Sequence, residues 1–341
     1  MKKQLLNLFI FLAVFSSFSC KKENTRTPDV FIVGSERVSS SGSTYRAKLW
    51  KNGIETNLTD GTKYASADGL FVSGSDVYVA GYESNGSVNV AKYWKNGVAT
   101  SLSGGVQNAY ANDIALVGSD LLVVGGEESA TTLQYVIKLW KNDVPQNITN
   151  GTYRAIASSM FIAGSDVYIA GFEQSGSTGT REVAKYWKNG VPVSLTDGTK
   201  HARAFSIFVG GTDVYVCGYE YSGITPIAKY WKNGIAFQLG STFFSFARKI
   251  FVKNGDIYVV GYEGNGSESV AKYWKNGIAV PMTDGTKYAE VSSMAISGSD
   301  IFVSGNEYNG TYDVAKYWKN GVATPLGDGL KDSYTSEMVV Q

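Results

Sequence analysis

Seven copies of one heptapeptide set the terms on which this chain can fold. Ala91-Lys92-Tyr93-Trp94-Lys95-Asn96-Gly97 returns, slightly altered, at Ala47–Gly53, Ile137–Asp143, Ala184–Gly190, Ala228–Gly234, Ala271–Gly277 and Ala315–Gly321. All seven tryptophans lie in it: Trp50, Trp94, Trp140, Trp187, Trp231, Trp274 and Trp318. Their spacings are 44, 46, 47, 44, 43 and 44 residues. A period of this size marks a repeat architecture, in which each unit buries its apolar surface against its neighbours.

One repeat reads as four short strands. Ala65–Ser73 is apolar and rich in small residues, and Gly74-Ser75-Asp76 is a turn. Val77–Glu83 is rich in β-branched and aromatic residues. Ser84–Asn89 is a polar loop, and Val90–Lys95 is the third strand. Asn96-Gly97 is the dipeptide preferred in a type I′ hairpin, whose two central residues need positive φ, and Val98–Leu102 follows as the fourth strand. Alternation turns Val77 and Val79 to one side and Tyr78, Ala80 and Tyr82 to the other, so both faces are apolar. Each sheet must then lie between two others. The expected fold is all-β, a seven-bladed β-propeller with four antiparallel strands per blade.

The ends of the repeat region decide how the ring closes. Asp29-Val30-Phe31-Ile32-Val33-Gly34 matches the second strand, Asp76–Gly81, and Ser333–Gln341 matches the first. Whole blades result only if the C-terminal strand joins the three N-terminal strands in the last blade. Closure of this kind hides sheet edges. Residues 29–341 are thus expected to form one propeller and a monomer.

The N-terminus reads as an address. Met1-Lys2-Lys3 precedes an apolar run from Leu5 to Phe18, which is short for a membrane span and typical of a secretory signal. Ser17-Phe18-Ser19-Cys20 resembles a bacterial lipoprotein box. That resemblance implies a signal peptide at 1–19, lipidation at Cys20, a tether over 20–28, and anchoring to a membrane. Lys21-Lys22-Glu23 resembles the charged tether of surface or outer-membrane lipoproteins, implying a place in the bacterial cell envelope, periplasmic or surface-exposed. An ordinary signal peptide is the alternative. Cys217 falls where other repeats carry Ala80, Ala170, Val260 or Ser304, so it is expected to be buried and inert. With 31 basic and 30 acidic residues, nothing points to a nucleic-acid partner.

Trp-x-Asn-Gly, a Leu, a Gly-containing turn, Ala-x-x-Ile and Val-Tyr-Val-x-Gly-Tyr, in that order, resemble the extracellular HAF-type repeat of exported bacterial proteins. The resemblance covers nearly all of 29–341 and implies a propeller but no particular activity. Ala-Lys-Tyr stands where that repeat has His-Ala-Phe.

Charges that recur in every repeat read as scaffold. Glu36, Glu83, Glu127, Glu173, Glu220, Glu263 and Glu307 end the second strands, and Lys48, Lys92, Lys138, Lys185, Lys229, Lys272 and Lys316 lie in the third. A cross-strand ion pair in each blade is expected. Asp29, Asp76, Asp120, Asp166, Asp213, Asp256 and Asp300 read as turn formers.

Departures from the repeat carry the functional lead. At the start of the first strand, Ala65 and Ala67 recur in kind, while the interleaved positions differ. One ring reads Tyr64, Asn108, Arg154, His201, Phe244, Tyr288 and Asp332. The next reads Ser66, Tyr110, Ile156, Arg203, Phe246, Glu290 and Tyr334. Alternation puts both sets on one side of the strand, around one channel mouth, together with the long connections. Tyr64, Asn108, Tyr110, Arg154, His201, Arg203, Phe244, Phe246, Tyr288, Glu290, Asp332 and Tyr334 are the candidate ligand-binding residues. No cofactor is implied, and no His/Cys cluster suggests a metal. Glu290 and Asp332 form a conceivable carboxylate pair for glycoside chemistry, at a separation the sequence does not fix. The functional expectation is a non-catalytic binding module for an extracellular glycan or an envelope protein. The alternatives are a pure scaffold in an envelope assembly and a carbohydrate-active hydrolase or lyase.

Overall fold

The computed structural model describes residues 27–175 and 181–341. The expected signal peptide at 1–19, the expected lipidation site Cys20 and all but the last two residues of the expected tether lie outside the described residues. Seven four-stranded antiparallel sheets form a closed ring, a seven-bladed β-propeller, and the described residues contain no helix. Blade 1 has the strand order β28-β1-β2-β3: β28 (Ser333–Val340), β1 (Val30–Arg37), β2 (Tyr45–Lys51) and β3 (Ile54–Asn57). The C-terminal strand thus completes the N-terminal blade. Blade 2 comprises β4 (Ala65–Ser73), β5 (Asp76–Ser84), β6 (Asn89–Lys95) and β7 (Val98–Ser101). Blades 3 to 7 repeat this order and open with β8 (Ala109–Val117), β12 (Ala155–Ala163), β16 (Ala202–Gly210), β20 (Ser245–Lys253) and β24 (Ala289–Ser297). The first strands touch in one cycle, from β4 round to β24, then β28, then β4 again.

The hairpins form for the local reason their sequence gives. Asn96 and Gly97 have φ of 51° and 83°, as the I′ turn requires. The Asn96 side chain does a second job. It accepts from the Val77 N–H at 2.9 Å and donates to Asp76 at 2.9 Å, tying the third-strand hairpin to the preceding turn. This arrangement recurs in all seven blades.

Each core cluster straddles two blades. Between blades 1 and 2, Phe31, Val33, Ala47 and Leu58 meet Ala65, Ala67, Leu70, Val79 and Trp94. The indoles are nearly solvent-free, with Trp94 1% exposed. Alanines at the start of most first strands, with Ser245, Val291, Ser333 and Thr335 in the other places, let the blades approach near the axis, where a wedge-shaped ring is narrowest.

The predicted ion pairs form in every blade. Lys92 Nζ lies 2.5 Å from Glu83, diagonal to it, because Lys92 stands opposite Gly81 and Glu83 opposite Val90. The other six pairs are Lys48–Glu36, Lys138–Glu127, Lys185–Glu173, Lys229–Glu220, Lys272–Glu263 and Lys316–Glu307. The turn aspartates take the following lysine, as Asp76 takes Lys95 at 3.1 Å. Cys217 is buried, its Sγ 3.5 Å from the Ala247 carbonyl, and burial pushes its thiol pKa well up.

Alternation breaks once in each first strand. In β4, Ala67 pairs with Gly81 and Gly69 with Ala80, leaving Asp68 as an extra residue in a β-bulge. All seven first strands carry this bulge at the equivalent place. A Cβ on Gly81 would sit 2.1 Å from the Ser66 carbonyl oxygen, so the bulge requires the facing glycine. The six equivalent glycines meet a first-strand carbonyl at 1.9–2.1 Å.

Candidate functional site

The strand directions give the ring two unlike faces. Long connections and the loops between second and third strands open on one, here the loop face, and the tight turns form the other, the turn face. The axial channel differs accordingly. Toward the loop face it holds a polar cavity of about 310 Å³, and toward the turn face an apolar funnel of about 750 Å³. Asp113, Ser159, Lys249 and Glu337 border both and form the waist.

The bulges build the polar cavity. Their extra residues are Asp68, Asn112, Ser158, Phe205, Arg248, Ser292 and Ser336. All seven line the cavity, though no two adjacent blades except the last pair share a residue type. The residues after four of the bulges, Asp113, Ser159, Lys249 and Glu337, are those of the waist, and three post-bulge side chains have a structural task. A bulge releases a backbone N–H that must find another acceptor. Asp113 accepts from the Met160 N–H at 2.8 Å, Ser159 from Ile207 at 3.2 Å, and Ser206 from Ile250 at 3.4 Å, each reaching into the next blade.

The electrostatics are uneven around the ring. Burial pushes the Asp68 carboxyl up to about 6, against a single opposing hydrogen bond from Ser66. Burial also raises Asp113 to about 6, although Lys249 pulls the other way. Lys249 pairs with Glu337 at 2.6 Å, and the pull of Glu337 and Asp113 outweighs burial and keeps it above its ordinary value. Arg248 forms no ion pair among the described residues. Its guanidinium lies 4.8 Å from the Phe205 ring and 5.6 Å from Tyr262, whose hydroxyl is 3.4 Å away. Arg248 and Asp68 stand on blades 6 and 2, nearly opposite each other across the channel.

Outside this ring lies an aromatic belt around the mouth. Tyr334, Tyr45, Tyr64, Tyr82, Tyr110 and Tyr135 follow one another with centroids 4.8–6.0 Å apart. Arg154 then lies over Tyr135 and Phe172, and Arg203 over Phe172 at 4.5 Å. Tyr219, Phe246 and Tyr262 continue the belt with centroids 5.1 and 5.2 Å apart.

The candidate residues divide by what they touch. Glu290 and Tyr334 line the polar cavity. The Tyr288 hydroxyl donates to Glu290, and the Tyr334 hydroxyl donates to Asp313 at 3.0 Å. Tyr64, Tyr110 and Phe246 are belt members. Arg203 clamps Glu182 with two bonds of 2.6 Å, and Arg154 lies 3.6 Å from the same carboxylate. Asn108 and Asp332 are joints between strands. Asn108 accepts from the Asn89 N–H at 3.1 Å, and Asp332 accepts from the Asp313 N–H at 3.0 Å while pairing with Arg37 at 2.8 Å. His201 meets the edge of Tyr221, and Phe244 packs over Gly264. The innermost ring, with Asp68, Phe205 and Arg248, was not among the sequence candidates. Its signal was present, since alternation from Tyr64 through Ser66 reaches Asp68, where every repeat again differs from its neighbour or carries serine. Tyr82, which alternation places on an apolar side of its strand, joins the belt together with its counterparts Tyr219 and Tyr262.

Among the described residues no group of three or more His, Cys, Asp or Glu is placed to hold a metal ion. No helix of the described residues is long and apolar enough to cross a membrane, which bears on helices alone. Neither a protein-family model nor a curated protein matches the chain.

Proposed function

We propose that this chain is an exported, membrane-anchored, non-catalytic binding module that takes an extracellular glycan at the polar end of its channel. The observation that carries the reading is the bulge ring. At one backbone position of a sevenfold scaffold, aromatic, cationic, anionic, amide and hydroxyl groups converge on a single cavity. Aromatic faces suit the apolar faces of sugar rings, and carboxylates and amides suit hydroxyls. Arg248, without a carboxylate partner among the described residues, suits an acidic substituent. The belt around the mouth offers further stacking surface for a longer chain.

The test is a glycan array probed with the full chain and with an Arg248→Ala/Phe205→Ala variant, whose thermal melt serves as the folding control. Selective binding weakened at least tenfold in the variant is the expected result. Selective binding untouched by the variant places the site elsewhere. A silent array, followed by recovery of an envelope protein in a pull-down that the variant abolishes, moves the partner from glycan to protein at the same face. The hydrolase alternative draws on Asp68, a carboxyl held near 6 inside a cleft, as a general acid is. Shortened glycans after incubation with the wild type, and none with Asp68→Asn, would replace the binding reading by that one.

A further inference from the structure

The turn face carries an ordered ring of exposed apolar side chains. In every blade the residue after the hairpin tip is Ile or Val, from Ile54 and Val98 round to Val322, and each is 64–75% exposed. These residues begin the outermost strands, so they form the rim of the face. Burial cannot explain them, and β-propensity asks for a β-branched residue without asking that it be aliphatic; Thr would serve equally. Scattered exposed aliphatics are ordinary on a protein surface, whereas seven at one level of one face make a coherent apolar contour.

Three other features share that face. The apolar funnel opens at its centre, lined by Phe71, Phe161, Phe208 and Phe251. The lysine before each tip is held by the turn aspartate at 2.7–3.2 Å, so the rim has little net charge. The chain also enters the ring there. The Asp29 N–H donates to the Gln341 carbonyl at 2.7 Å, and Asp29 pairs with Lys51 beside the first hairpin tip. Only residues 19–28 separate Asp29 from the apolar run that ends at Phe18. Ten residues of any chain span at most about 35 Å. A bilayer that receives the apolar run or a lipid on Cys20 is therefore within reach of this face, the one at which the chain enters the ring.

We propose that the turn face is a bilayer-docking surface. The seven Ile/Val tips enter the interfacial layer, the apolar funnel faces the membrane, and the polar cavity points away from it. Because the lysines are neutralised in place, apolar insertion and not headgroup charge holds the face down, and docking needs no anionic lipid. The proposal does not depend on the glycan reading, which concerns the opposite face.

The experiment uses the full chain carrying Cys20→Ser, with single cysteines introduced as Val98→Cys, Ile235→Cys or, on the loop face, Val106→Cys. Cys217 is buried and does not compete for label. Each variant is labelled with a small fluorophore and mixed with phosphatidylcholine vesicles, with and without acyl-chain spin labels. The expected result is co-flotation with at least twofold quenching at Val98 and Ile235, none at Val106, and little change from 0.05 to about 0.5 M salt, where screening removes surface charge effects. Equal quenching at all three sites, quenching at Val106 alone, no quenching at Val98, or no co-flotation overturns the proposal. So does a dimer in lipid-free buffer whose formation shields the Val98 label, because the ring would then be a contact between two copies of the chain.

Discussion

The two kinds of charged residue in this propeller differ in what their neighbours allow. Lys92 and most of its equivalents are partly open to water, and replacing such a pair costs little because solvent screens what remains. Lys48 is 1% exposed and lies 2.6 Å from both Glu36 and Glu55, and Glu36 is itself buried. Lys48→Met leaves a buried carboxylate with only Lys331 at 3.4 Å. We expect it to cost about 3 kcal/mol against about 1 for Lys92→Met, in urea unfolding. Equal losses would show that the buried bridge is no different from the others. Asp68 supplies a pH dependence of opposite sense to an ion pair. Its folded pKa of about 6 lies above the ordinary 3.8. Between those values the folded chain keeps a proton that the unfolded chain releases, so stability falls as pH rises from 4 to 6 and stays lower above. Asp68→Asn should therefore stabilise the protein relative to wild type by about 3 kcal/mol at pH 8 and by little at pH 4. A difference in Tm that is the same at both pH values would contradict this.

At the scale of the strand, two glycines in one repeat serve different ends. Gly97 lies in open space with φ of 83°, and only its backbone conformation constrains it. Gly97→Ala should cost about 1 kcal/mol. Gly81 faces the carbonyl of Ser66 across the bulge, and an added methyl there meets backbone that cannot swing away. Gly81→Ala should cost about 3 kcal/mol or more and also weaken ligand binding, since the bulge it disturbs presents Asp68 to the channel. Chemical denaturation of the two variants side by side checks the ranking, and a cheaper Gly81→Ala would mean that the bulge is soft. The hairpin was legible in the sequence because its rule is local: two residues, two positive φ values. The bulge was not, because its determinant is a glycine on the neighbouring strand whose role shows only once the register is known.

The whole ring depends on one strand that arrives last. β28 pairs with β1, places Met338 in the cluster between blades 7 and 1, and sets Val339 against the cluster between blades 1 and 2. Removing Ser333–Gln341 exposes the edge of β1 and opens both interfaces. The truncated chain should lose its single cooperative thermal transition or melt at least 10 °C lower, by the usual scale of a few kcal/mol in a large domain. An unchanged melting curve would refute closure through this blade. This closure could be foreseen because it is a matter of counting: seven second and third strands with a first strand left over at the far end admit one arrangement. Sequence alone determined the strands, the hairpin turns, the seven ion pairs and the ring, since each follows from short-range pattern repeated seven times. It also placed Glu290 and Tyr334 at the channel mouth, by alternation. Only the tertiary structure decided that Asp68, Phe205 and Arg248 share one cavity, that Arg203 is engaged by Glu182, and that the Ile and Val tips make one rim. Those groups lie in different blades, 21 or more residues apart, and ring closure, not any local preference, brings them together.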